Sequence, residues 1–150
     1  MNHNENVANT DDDEERIVRF DEALVAGFWT YCRLSESEDS SDRDRAQAWY
    51  WAWTAVYDAT RLAADGVVGL LVALADAAAG DLERLAYLGA GPFEDLLRYG
   101  ERPPNATILD ELEQAAQDNN NVRLAVRAMW WGDDDDQHTV ERFTRFGPTY

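Results

Sequence analysis

From Ile17 onward the apolar residues of this chain return at steps of three and four. Ile17, Phe20, Leu24, Phe28 and Tyr31 fall on one face of a 3.6-residue helix, and no stretch of the 150 residues sustains the two-residue alternation of a strand. There is no Asn-Gly hairpin signal either. This one pattern restricts the chain to an all-α fold, and the stop signals along it divide that fold into seven or eight short helices.

The first helix is expected from about Asp13, with Asp11 to Glu15 at its N-terminus, where negative charge suits the helix dipole. Residues 1–10 read as an acidic disordered tail and residues 11–150 as a single helical domain. The run Ser35–Asp42 reads as a loop. A second helix, about 43–64, carries Ala46, Trp49, Trp53, Val56, Tyr57 and Thr60 as one stripe and Trp51 on the opposite side. Tryptophan on two faces places a helix centrally in the core, or leaves Trp51 exposed as an anchor for a partner. Asp65 is the expected cap of a third, very apolar helix through "GVVGLLVALADAAAG". Asp81 caps a fourth through Leu82, Leu85 and Leu88.

In "LAYLGAGPFEDLLRYG", Gly89 then reads as a helix stop and Pro92 as the start of a fifth helix, which makes Gly89–Pro92 a tight corner. Thr107 with Asp110 resembles a capping box that opens a sixth helix through Leu112 and Ala116. The Asn run after Asp118 breaks it. A seventh, "VRLAVRAMWW", ends at Gly132, and the acidic run Asp133, Asp134, Asp135, Asp136 caps a last segment with Val140 and Phe143. Short helices joined by tight turns fit a compact bundle or a short solenoid-like stack.

Charge narrows the function classes. The net charge is −17, and residues 1–15, 35–42 and 133–136 carry −6, −4 and −4 of it. The acidity therefore sits in a tail and two expected loops, while the helical body is nearly balanced. Such a surface keeps molecules apart, attracts a basic partner, or imitates nucleic acid. Direct nucleic-acid binding needs clustered cations, and here the 13 basic residues are all dispersed arginines. With 45% apolar residues the chain can build a real core, and no apolar run approaches the ~20 residues that span a bilayer. A single cysteine, Cys32, excludes an internal disulfide and a Cys-rich zinc site. The N-terminus lacks the basic and apolar segments of a secretory signal. A cytoplasmic location fits these features.

Chemistry-bearing motifs are sparse. Gly89-Ala90-Gly91-Pro92 lacks the glycine and lysine pattern of a phosphate loop. Adjacent acids diverge by about 100° on a helix, so Glu94 and Asp95 do not face one another as a catalytic pair. One is expected to cap the helix and the other to pair with Arg123 or Arg127. Asp133, Asp135, His138 and Glu141 lie close in sequence but lack the glycine a calcium loop turns on. Neither a serine elbow nor HExxH nor CxxC occurs, and nothing calls for a cofactor or metal.

"LAYLGAGPFEDLLRYG" followed by "ILDELEQAAQDNNNVRLAVRAMWW" resembles a family of uncharacterised bacterial proteins, across roughly residues 45–143. The matching positions are Gly89, Ala90, Gly91, Pro92, Glu94, Asp95, Leu96, Leu97, Gly100, Arg123, Ala125 and Trp130. Phe93, Tyr99 and Val126 stand where that family has Leu, His and Leu. The resemblance implies no activity; small size and bacterial distribution suit an immunity-like or accessory protein. The expectation is a non-catalytic acidic interaction module that binds a basic protein through Asp133–Asp136 and an exposed aromatic such as Trp51. Two alternatives stand beside it: a small ligand-binding or hydrolytic protein using Glu94, Asp95 and Arg123 in a pocket, and an architectural homo-oligomer built on the aromatic second helix.

Overall fold

The computed structural model describes residues 21–147, all of them in helices, turns and connecting loops. The helices are α1 (Glu22–Ser35), α2 (Ser40–Ala46), α3 (Tyr50–Arg61), α4 (Val67–Ala77), α5 (Leu82–Leu88), α6 (Glu94–Leu97), α7 (Ala106–Asp118), α8 (Asn120–Arg127) and α9 (Gln137–Thr144). A 3-10 turn, Gln47–Trp49, joins α2 to α3, and a π-helical turn, Gly89–Phe93, joins α5 to α6. The described residues thus form seven helical runs in an all-α bundle. The expected tail and the first turns of the first helix lie outside these residues.

α4 is the centre of the bundle. Val67, Val68, Leu70, Leu71, Leu74 and Ala75 are all buried, a helix apolar around most of its circumference. It packs against α1, α3, α5, α7 and α8. α1 lies along α3 and α2 and sends Phe28, Trp29 and Cys32 inward. The Trp29 indole N–H donates to the Leu74 carbonyl at 3.1 Å, so the ring is buried without an orphaned donor. α8 closes the other side, against α4, α5 and α7, with Val122, Ala125 and Val126 buried.

The caps show where local reading succeeds. Asp81 accepts from the Arg84 N–H and Asp136 from the Thr139 N–H, as their positions suggest. Three other starts differ from expectation. Gly66, at φ 83°, precedes α4 in the left-handed region that glycine adopts without strain, and it takes the place expected of Asp65. Asn105, not Thr107, caps α7 by accepting from Ile108 N at 2.9 Å. The Ser35–Asp42 loop is shorter than expected, because Asp39 caps α2 from Ser40 onward.

Asn119 is the most heavily used cap. Its Oδ1 accepts from Asn121 N and Val122 N at 2.9 and 3.1 Å, and its Nδ2 donates to Asp76 of α4 at 2.9 Å. Asn119→Ala should therefore cost about 1–2 kcal/mol in urea unfolding, and Asn119→Ser should recover most of the cap. Equal midpoints for wild type and Asn119→Ala would remove this role.

Candidate protein-binding surface

The segment from Leu82 to Leu97 is not a corner. Gly89 sits in the right-handed helical region at φ −62°, ψ −47°, and the helix continues through a π turn into Glu94. Two residues explain this. A side chain on Gly89 would place its Cβ 2.1 Å from the Ala125 carbonyl oxygen, so glycine is what lets α5 and α8 meet backbone to backbone. Pro92 has no N–H to donate and its ring crowds the carbonyl one α-turn back; the wider π turn accommodates both.

The turn delivers Glu94 to the interior, where it is 8% exposed. Its Oε1 accepts from the Trp130 N–H at 2.6 Å and lies 3.6 Å from Arg98 Nη1. Arg98 in turn donates through Nε to Asp135 Oδ2 at 2.8 Å, and the Gly132 N–H donates to that same oxygen. The chain after α8 is thereby strapped to the end of the α5–α6 run. The arginine that pairs with Glu94 is Arg98 rather than Arg123. Arg123 donates to the Ala116 and Gln117 carbonyls at 3.0 and 2.6 Å, closing the C-terminus of α7. The Arg127 guanidinium lies against Gly147. Arg123 is therefore engaged apart from Glu94 and Asp95, and Asp95 lines a cleft.

The strap fixes the backbone of Trp130 while its ring points outward, 68% exposed. Beside it Leu82 is 67% exposed. The two border a groove of about 510 Å³ whose walls are Leu85, Ala86, Ala90, Leu124 and Ala128. It is an open apolar surface formed by α5, the π turn and α8. Its neighbour in sequence is the acidic loop, which is not uniform. Asp135 is tied to Arg98, and Asp136 caps α9, where the Thr139 N–H and hydroxyl hold its carboxyl below the usual range. Asp133 and Asp134 are exposed.

Trp51 is half exposed, next to Tyr50 and Trp49, so the second helical run does not bury tryptophan on both faces. Its α1-facing side is close-packed, since a Cβ on Gly27 would come within 2.9 Å of the Ala52 Cβ. By its spacing Leu82 falls on the apolar side of its helix with Leu85 and Leu88, whereas it is exposed; in the sequence Arg98 has no evident role and Trp130 only a motif position. The doublet Trp130-Trp131 holds the signal for the exposed ring. Trp131 stacks against the buried Phe143 at 6.5 Å, and its neighbour faces the other way.

The remaining reactive groups are quiet. Burial pushes the Cys32 thiol up to about 11, which keeps it protonated and unreactive at neutral pH. His138 is exposed on α9. Among the described residues no three His, Cys, Asp or Glu side chains are grouped to hold a metal, and no helix is long and apolar enough to cross a membrane. In comparison with known proteins, the chain matches no family model, no curated protein and no solved structure.

Proposed function

We propose that this protein is a non-catalytic interaction module, of the immunity or inhibitor type, that captures a basic protein partner. The observation that carries the reading is the apolar Leu82–Trp130 groove, together with the exposed Asp133 and Asp134 that follow Trp130 in the chain. An aromatic anchor in an apolar groove supplies affinity, and exposed acidic charge steers a cationic partner toward the surface. The partner this fits presents an apolar side chain flanked by lysine or arginine.

The test is affinity capture with wild-type, Trp130→Ala and Asp133→Asn/Asp134→Asn proteins, followed by kinetics with the purified partner. Trp130→Ala should weaken binding by about 2 kcal/mol or more while leaving the unfolding midpoint unchanged, because the ring is already in water. The double Asp→Asn variant should lower the association rate and flatten its dependence on salt. A partner held equally by all three proteins, with the same association rate at low and high salt, would reject the reading.

A further inference from the structure

A second concavity lies on a different face, where α1, α3 and the π turn meet. Phe28, Trp53, Tyr57 and Tyr87 surround a cleft of about 50 Å³, with Val56, Gly91, Pro92 and Asp95 completing its lining. Tyr57 and Tyr87 stand at its edge, each 38% exposed, so the cleft opens to solvent. Trp53 and Tyr57 are stacked at 5.4 Å and 7°, while Phe28 and Tyr87 are tilted to each other by 52° at 6.3 Å. The cleft is thus walled by rings in more than one orientation.

Two further facts set it apart from ordinary packing. The first is Asp95. The other half-buried or buried acids near the core have partners: Glu94 has Arg98 and the Trp130 N–H, Asp135 has Arg98, and Glu113 has Arg142. The Asp95 carboxylate has no hydrogen bond or ion pair among the described residues; burial and then Glu94 raise its pKa, and no arginine offsets them. Arg61 packs over Tyr57 at 5.4 Å, but it is held by Glu101 and Asp58 and does not line the cleft. The second fact is Gly91. It lies in a helical segment, where glycine costs roughly 1 kcal/mol relative to alanine, and unlike Gly89 it has no packing reason to be glycine. A Cβ there would meet nothing within 4 Å. What the missing side chain leaves open is the cleft.

Aromatic faces carry negative potential and attract cations, most strongly where water is excluded. A carboxylate without a counter-ion adds the charge that such a cage lacks. We propose that the Phe28–Trp53–Tyr57–Tyr87 cleft, with Asp95 in its wall, binds an alkylated ammonium head group. The volume suits one such head group and excludes a nucleotide or a sugar. The same chemistry occurs in a free quaternary amine and in a methylated lysine side chain. This site is separate from the Trp130 groove, and neither depends on the other.

The test uses tetramethylammonium and choline, followed by calorimetry and by the ligand methyl proton shifts. The expected result is saturable binding with an upfield ring-current shift of the methyl signal. 3,3-Dimethyl-1-butanol, the uncharged shape-mimic of choline, should bind at least about tenfold more weakly. Asp95→Asn, which keeps size and shape, should weaken choline by about tenfold, and Gly91→Leu should abolish binding by filling the cleft while helix content is retained. A trimethyl-lysine peptide that binds more tightly than choline assigns the source to a protein; tighter choline binding assigns it to a free amine. Absence of saturable binding overturns the proposal, as does equal affinity for the uncharged mimic. Unchanged binding in a folded Gly91→Leu protein places the ligand elsewhere and overturns it as well.

Discussion

Gly89→Ala is expected to destabilise the protein by about 3 kcal/mol or more, at the upper end of what overpacking a core costs. The added methyl would lie 2.1 Å from the Ala125 carbonyl oxygen and 3.0 Å from the Ala128 Cβ. Backbone atoms cannot turn aside as a side chain can, so α5 and α8 would have to separate. α8 would then withdraw from α4, which it also packs against. The internal control is Gly91→Ala, two residues on in the same helical run. With no neighbour within 4 Å, that methyl should stabilise the helix by about 0.5–1 kcal/mol. Urea midpoints that move in opposite directions for the two variants are the expected outcome. A Gly89→Ala protein as stable as wild type would mean that the close approach of α5 and α8 is wrong.

Arg98→Met should be nearly as damaging, at about 3 kcal/mol, because removing one partner leaves other charges stranded out of water. The Arg98, Glu94 and Asp135 side chains are only 11%, 10% and 16% exposed. Methionine keeps the aliphatic stem but abandons two carboxylates at once. Glu94→Gln is the informative companion, since the amide oxygen still accepts from Trp130 N while the charge is gone. In a double-mutant cycle the two substitutions should show coupling of about 1 kcal/mol or more, as groups in one network do. Purely additive losses would break the proposed link between them. Because Asp135 also accepts from Gly132 N, Arg98→Met should in addition loosen the Trp130 strap, visible as a shift in tryptophan fluorescence.

Much of the architecture was legible because it is local. The three- and four-residue spacing in α1, the all-round apolarity of α4 and the Asp81 cap depend on neighbours within one or two turns. Gly89 and Pro92 read as a stop and a start for the same reason: statistics of helix ends are local statistics. The fold uses them otherwise because the demand on Gly89 comes from Ala125, 36 positions along the chain. The Glu94–Arg98 pair stands at the four-residue spacing of a helical ion pair, a signal strong enough to prefer Arg98 over Arg123. Nothing local points from Arg98 to Asp135. The same limit governs the surfaces. Which of the six tryptophans faces water is settled by what packs behind each one, and Leu82 resembles a core residue until its neighbours are known.

The last helix is attached differently from the rest. α9 touches the bundle through few backbone neighbours, through Phe143 against Trp131, and through Arg142 and Arg145 on Asp110 and Glu113 of α7. Asp110 and Arg145 are largely in water, so part of this attachment weakens as ions screen it. With Phe143 its one fully buried anchor, α9 is expected to undock before α4 and its neighbours unfold. Its amides should exchange with solvent long before those of the core, at a rate set by ionic strength.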